Sequence, residues 1–119
     1  VEDNPVNQQV VIHMLKKLGL HYDIAENGRV ALAMLSTSNV WDLVLMDCQM
    51  PVMDGFEATI RWREQELLLG QKRIPIIALT ANAMQGDEER CVAAGMDAHL
   101  AKPIHLASLT AMLATWLPS

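Results

Sequence analysis

The stretch LVLMDCQMPVMDG, residues 43–55, decides the reading of this chain. Leu43 to Met46 form a continuous apolar run, the mark of a strand covered on both faces. Asp47 interrupts that run, and Met50-Pro51 and Asp54-Gly55 turn the sequence into a tight loop. An isolated carboxylate in such a place is costly, and it either protonates or finds a positive partner. Either a cation meets Asp47, or the strand stops there and the acid faces a cleft. The flanking sequence supports both.

Downstream, a helix is predicted from about Gly55 to Leu68, with Phe56, Ile60 and Leu67 among its apolar positions. Ile74 to Leu79 is a second continuous apolar strand, with Pro75 near its start, where proline is tolerated. Asp87-Glu88-Glu89 opens a helix that ends at Gly95, its acids complementing the N-terminal dipole. Ala98 to Ala101 reads as a short strand, and Leu106, Leu109, Leu113, Trp116 and Leu117 as a last amphipathic helix. Upstream, Asn27-Gly28 turns into a helix carrying Val30, Leu32, Met34 and Leu35. Leu20, Tyr22 and Ile24 alternate with His21 and Asp23, as in a strand. Asn4 caps a helix with Pro5 in its first turn, Val6, Val10, Met14 and Leu18 at helical spacing, and Gly19 at its end. Val1-Glu2-Asp3 reads as the tail of a strand whose apolar body is missing, so the chain is expected to be a fragment of something longer. Strict alternation of strand and helix calls for a doubly wound parallel sheet of five strands, flanked by helices, in one domain over residues 1–119.

Composition narrows the function. Apolar residues make up 51% of the 119 and charged ones 19%, enough for a packed core and too few charges for disorder. The net charge is −5 and the Lys and Arg residues are scattered, so the basic face that nucleic acid requires is lacking. Cys48 and Cys91 form neither a CxxC pair nor a scaffold, which points to a reducing, cytoplasmic setting. No apolar run approaches the ~20 residues that span a bilayer. His13, His21, His99 and His105 lack the short spacings of a zinc site. Trp41, Trp62 and Trp116 are too separated for a base-stacking platform, and Cys48 reads as a small packing residue.

Open parallel sheets bind ligands at the carboxyl ends of their strands. The residues that fall there are Glu2-Asp3, Asp47, Thr80 and Lys102. Taken singly, each has a bland reading: a solvated turn, a capping acid, a β-branched strand residue, a surface lysine. Together they place three carboxylates, a hydroxyl and an ammonium at one edge. A hard divalent cation is the natural way to keep such acids ionised, and Mg²⁺ takes few carboxylates and leaves room for a phosphate oxygen. Asp47 can then act as a nucleophile toward a phosphoryl donor, with Lys102 pairing the charge and Thr80 hydrogen-bonding an oxygen.

VEDNPVNQ, LVLMDCQMPVMDG, IIALTANAM and GMDAHLAKPI, in this order, resemble the receiver (response-regulator) domain of two-component phosphorelays. The resemblance covers essentially the whole chain apart from the first strand. It implies a flavodoxin-like receiver fold, with Asp47 as phosphoacceptor in a Mg²⁺-dependent reaction. Asp3 is then a direct metal ligand, Glu2 a ligand through water, and the Gln49 backbone carbonyl completes the metal site. Thr80 and Lys102 bind the phosphoryl group, and the Lys102-Pro103 peptide is expected to be cis. Thr80 and His99 form the switch pair, with His99 standing where receivers more usually carry Tyr or Phe. Gln49 and Asn82 border the path of attacking water and tune the phosphoryl lifetime. The wording is most similar to receivers of hybrid sensor histidine kinases, which take a phosphoryl group from a kinase histidine and pass it to a histidine phosphotransfer domain. The resemblance leaves room for a stand-alone receiver and for a parent anchored in the inner membrane. It implies a phosphoacceptor with self-phosphorylation and self-dephosphorylation chemistry, without enzymatic turnover. Two rivals remain: a pseudo-receiver that binds partners without phosphorylation, and a phosphohydrolase of the haloacid dehalogenase type. The latter places a second Asp two residues after the nucleophile, where this chain has Gln49.

Overall fold

The structure is a computed structural model that describes residues 1–37, 41–50, 52–80 and 87–117. Five helices and three strands follow one another along it, alternating from α2 onward: α1 (Pro5–Lys17), α2 (Gly28–Thr37), β1 (Val44–Asp47), α3 (Gly55–Leu69), β2 (Ile76–Thr80), α4 (Asp87–Ala94), β3 (Ala98–Ala101) and α5 (Leu106–Trp116). The strands form one parallel sheet in the order β1-β2-β3, with Asp47 opposite Leu79 and Thr80 opposite Ala101.

The continuous apolar runs are explained by the two cores. Ile76 and Ala78 of β2 face one cluster, with Ala31 and Leu35 from α2, Phe56, Ala58 and Trp62 from α3, and Cys91 and Ala94 from α4. Ile77 and Leu79 face the other, with Leu109 and Leu113 from α5, and with Met14 and Leu15 from α1 and Leu18 just past its end against it. A strand covered on both sides cannot alternate with polar residues. Full burial of a side chain such as Ile76 or Ile77 contributes about 1.5–3 kcal/mol.

The helix ends follow their sequence signals. Asn4 Oδ1 accepts from the Val6 amide at 2.8 Å, Asn27 Oδ1 from Val30 at 3.0 Å and Asp54 Oδ1 from Glu57 at 2.9 Å. Gly70, at φ 64°, ends α3 in the left-handed conformation.

The doubly wound parallel class is met, while two of the five expected strands do not form as such. Residues 20–24 keep the alternation of a strand, with His21 and Asp23 exposed and Leu20, Tyr22 and Ile24 half-buried, yet they have no ladder. Val1 and Glu2 do reach between that segment and β1. The Val1 amine donates to the Leu45 carbonyl, Asp47 N donates to Val1 O at 3.0 Å, and Glu2 N donates to Ala25 O at 3.0 Å. Below Val1 runs an apolar trough of about 600 Å³, walled by Leu20, Tyr22 and Ile24 on one side and Leu43 and Leu45 on the other. A strand is held by its neighbours' amides and carbonyls. Glu2 meets this segment's backbone just past it, at Ala25, and no ladder forms along residues 20–24.

Candidate functional site

The end of β1 is set by close approach of backbone. Gly55 N donates to Cys48 O at 3.1 Å, and a Cβ at Gly55 would lie 2.2 Å from the Asp47 carbonyl oxygen. Only glycine lets α3 start against the backbone of Asp47, so the chain turns sharply just past that residue. The Asp47 carboxylate is buried at 4% exposure and accepts from the Gln49 amide at 3.1 Å through Oδ1.

The other carboxylates come from the chain's first residues. Gln8 Nε2, on α1, donates to the Glu2 carbonyl at 2.7 Å and fixes the backbone there. Glu2 is buried and Asp3 exposed, and one oxygen from each of Glu2, Asp3 and Asp47 lies within 4.8 Å of the others. From the far edge, Lys102 N donates to Thr80 O at 2.7 Å, and the Lys102-Pro103 peptide is cis, as expected. Lys102 Nζ donates to Asp47 Oδ2 at 2.8 Å and stands 3.3 Å from Glu2 Oε1. Thr80 ends β2, buried at 1% exposure. Its Oγ1, like Glu2 Oε2, is buried with no hydrogen-bond partner among the described residues.

Charge is unevenly shared here. Burial pushes the Glu2 carboxyl up to about 7, and the neighbouring Asp47 carboxylate adds to the effect. Burial acts on Asp47 in the same sense, but hydrogen bonds from protonated Glu2, from Lys102 and from the Gln49 amide outweigh it and hold Asp47 below the usual range. Burial also opposes the Lys102 charge, yet Asp47 and Glu2 raise its affinity for the proton. Two acids competing for one ammonium leave Glu2 holding a proton that a stronger cation would displace. The donor set, all hard oxygens with one buried oxygen still unmatched, fits Mg²⁺.

Sequence reasoning placed Glu2, Asp3, Asp47, Thr80 and Lys102 at one edge, and the structure brings them together. Gln49 is exposed beside Asp47. His99 lies half-buried on β3, opposite Ala78. Asn82 lies outside the described residues. Gln8 and the packing role of Gly55 were not singled out. Asp54-Gly55 reads as an ordinary turn in sequence, and a glutamine one turn into a helix carries no signal of its own.

A parallel α/β sheet with a carboxylate cluster and a lysine at its carboxyl edge defines a class, and the comparisons supply the family. The sequence model of the response regulator receiver domain matches residues 1–114, so the chain belongs to the receiver family. Hybrid signal transduction histidine kinase A of Dictyostelium discoideum is 42% identical over 116 residues, covering 98% of this chain and 5% of that protein. The chain thus spans a small part of such relatives. The crystal structure of the receiver domain of a sensor histidine kinase from Pseudomonas aeruginosa, with a magnesium ion coordinated in its active site cleft, superposes with a TM-score of 0.87. It is 45% identical and covers 100% of this chain and 94% of its own. The receiver domain of a Saccharomyces cerevisiae response regulator, crystallised with its histidine phosphotransfer protein, gives a TM-score of 0.91 at 32% identity, covering 97% of this chain and 83% of its own. Among the described residues, no helix is long and apolar enough to cross a membrane.

Proposed function

We propose that this receiver accepts a phosphoryl group on Asp47 from a phosphohistidine and relays it to, or signals it to, a partner protein. The observation that carries the reading is the convergence of Asp47, Glu2 and Lys102 at the strand ends, with a buried Thr80 hydroxyl at the end of the next strand that has no partner among the described residues. An Asp47 carboxylate oxygen forms the bond to phosphorus as the phosphorus–nitrogen bond breaks. Lys102 Nζ, already 2.8 Å from Asp47 Oδ2, pairs with the charge carried in. Thr80 Oγ1, without a partner among the described residues, donates to a phosphoryl oxygen. Asp3, Asp47, Glu2 through water and the Gln49 carbonyl would hold Mg²⁺, which supplies the positive charge that lets an anionic donor approach an acidic cleft. His99 completes the switch with Thr80, and Gln49 and Asn82 set the phosphoryl lifetime.

Moving a two-state population from 1:99 to 99:1 takes ~5.5 kcal/mol. Two or three hydrogen bonds to a charged group, at roughly 1.5–3 kcal/mol each, are enough. The partner is a histidine phosphotransfer domain, docking on α1, where Val6 is 71% and Val10 is 43% exposed, and on the nearby exposed Pro103. Fusion to a histidine kinase is the arrangement that the hybrid kinase relatives support.

Intact-mass analysis after incubation with acetyl phosphate tests the chemistry. A phosphoryl adduct is expected that requires both Mg²⁺ and Asp47 and is lost in Asp47→Ala. No adduct on the folded chain would move the reading to a pseudo-receiver that binds partners without phosphorylation. Val10→Arg is expected to leave this adduct intact while blocking transfer from a phosphotransfer partner, and unchanged transfer would remove α1 as the dock.

A further inference from the structure

Behind the acidic cleft, two thiols that take no part in it lie against each other. Cys48 Sγ and Cys91 Sγ are 3.9 Å apart, from positions 43 residues apart in the chain. Both side chains are buried in the cluster on the α2, α3 and α4 side of the sheet. Cys48 directly follows Asp47, and its backbone is held on both sides: its amide donates to Leu79 O at 3.2 Å and its carbonyl accepts from Gly55 N at 3.1 Å. Cys91 rides on α4, at eight residues the shortest helix of the fold. One sulfur is therefore fixed, and the other sits on an element small enough to shift toward it.

We infer that Cys48 and Cys91 are a disulfide-forming site, a reversible cross-link between the Asp47 strand and α4 made under hydroperoxide. A disulfide requires sulfurs at about 2.05 Å, so the 3.9 Å gap must close by roughly 1.9 Å, within reach of side-chain rotation and a small helix shift. The chemistry balances with hydrogen peroxide as oxidant. One thiol sulfur attacks the O–O bond, forming S–O as O–O breaks, and that sulfur becomes a sulfenic acid while one water leaves with the thiol proton. The second thiol then attacks the oxidised sulfur, S–S forms as S–O breaks, and the hydroxyl leaves as a second water with the second proton. Two thiols are oxidised by two electrons and one peroxide is reduced to two waters. A dithiol reverses the step by exchange.

Burial governs both rate and outcome. Thiols enclosed in a core are shielded from reagents, so the first step waits on local opening of α4. Once it occurs, the partner sulfur is at contact distance, and pairing outruns further oxidation. The consequence for the site rests on the function proposed above. Residues 81–86 link Thr80 to α4, so fastening α4 to Cys48 restrains the strand end that must deliver the Thr80 hydroxyl.

The test is treatment of the folded chain with hydrogen peroxide, followed by intact mass, peptide mapping without reductant and amide exchange. The expected product is a monomer lighter by two hydrogens, with one Cys48–Cys91 cross-linked peptide pair, restored by dithiothreitol. Exchange in α4 is expected to slow about tenfold as its opening is suppressed. Cys91→Ser, or Cys91→Ala should serine disturb the core, is expected to abolish the mass loss and leave a dimedone-trappable Cys48. Thiols that stay reduced while an exposed-thiol control reacts would overturn the site. So would sulfinic acids on either cysteine, or disulfides formed only between molecules. Oxidised chain is also expected to take up phosphoryl from acetyl phosphate more slowly than reduced chain, an effect absent in Cys91→Ala. Absence of an adduct on the reduced chain is a failure of the phosphoacceptor reading and leaves the disulfide result standing.

Discussion

The strands of this sheet carry charged side chains at both ends, and the two ends are provisioned differently. At the amino ends, Arg63 reaches Glu66 Oε1 at 2.7 Å, Asp97 Oδ2 at 2.8 Å and the carbonyls of Ile74 at 2.8 Å and Gly95 at 2.9 Å. Arg73 takes Asp97 Oδ1 at 2.8 Å. Glu66 Oε2 accepts from Trp62 Nε1 at 2.9 Å and the Ile74 amide at 2.8 Å, and Asp97 Oδ2 from the Ile76 amide at 2.9 Å. Two cations meet two carboxylates, and every carboxylate oxygen has a donor. At the carboxyl ends, Glu2 and Asp47 share Lys102 with Asp3 close by, and Glu2 Oε2 and Thr80 Oγ1 lack partners among the described residues. The first cluster is complete in the protein alone and ties α3, β2 and β3 together. Among the described residues, the second is short of positive charge and of hydrogen bonds. Buried polar groups left unmatched are costly, and they persist where function requires them.

The largest effect belongs to the complete cluster. Glu66 and Arg63 are 6% and 12% exposed, so Glu66→Ala removes one of the two carboxylates that pair buried Arg63 and leaves the Trp62 and Ile74 donors unpaired. A loss of about 3–5 kcal/mol is expected in urea unfolding. Arg73→Ala, at a side chain 58% exposed, is expected to cost less than about 1 kcal/mol. Neither change is expected to alter Mg²⁺ affinity of the folded fraction. Equal costs for the two would break the distinction between a satisfied core network and surface pairs.

At the incomplete cluster, titration reports the missing charge. Glu2 is raised from 4.5 to about 7, first by burial and then by Asp47. The folded chain therefore binds more protons than the unfolded chain between those values, and stability falls as pH rises through them. The loss is on the order of 3 kcal/mol and is complete above about pH 7. Glu2→Gln isolates the carboxyl: its stability is expected to stay level where the parent declines. Mg²⁺ must displace the Glu2 proton, so metal affinity is expected to rise with pH by up to about tenfold per unit below pH 7 and then flatten. Calorimetric titration between about pH 5 and 8 reads this directly. A pH-independent affinity would show that Glu2 takes no part in the metal's charge balance.

Much of this was legible in sequence, for identifiable reasons. The continuous runs at 43–46 and 74–79 specify buried parallel strands because both faces must be apolar, and Asn4, Asp54 and Gly70 mark helix ends by local chemistry. The acidic edge was readable because topology alone gathers strand ends. Residues 20–24 show the limit: their alternation predicts the right faces, but a ladder depends on a neighbour that periodicity cannot supply. The Arg63 cluster was invisible for another reason. Its members at 63, 66, 73 and 97 read as surface charges on a helix and in two loops, and only packing reveals that they enclose one another.

Thr80 gives a small stability change and the sharpest contrast. Its hydroxyl is enclosed without a partner among the described residues, whereas the hydroxyl of the equally buried Thr59 donates to Gly55 O at 2.7 Å. Valine keeps the shape and β-branching of threonine and removes the hydroxyl. Thr80→Val is expected to raise stability by about 1 kcal/mol, because an unsatisfied buried hydroxyl is lost. Thr59→Val is expected to lower it by a similar ~1 kcal/mol, because a made hydrogen bond is lost. The signs reverse once phosphoryl transfer is measured. A hydrogen bond to a charged group contributes roughly 1.5–3 kcal/mol, so the Thr80→Val adduct is expected to form or persist ~10- to 100-fold less well, with Thr59→Val unaffected. A destabilised Thr80→Val would mean that the hydroxyl is already satisfied in the resting protein. The carboxyl edge would then be as complete as the amino edge, and it would not be waiting for a ligand to fill it.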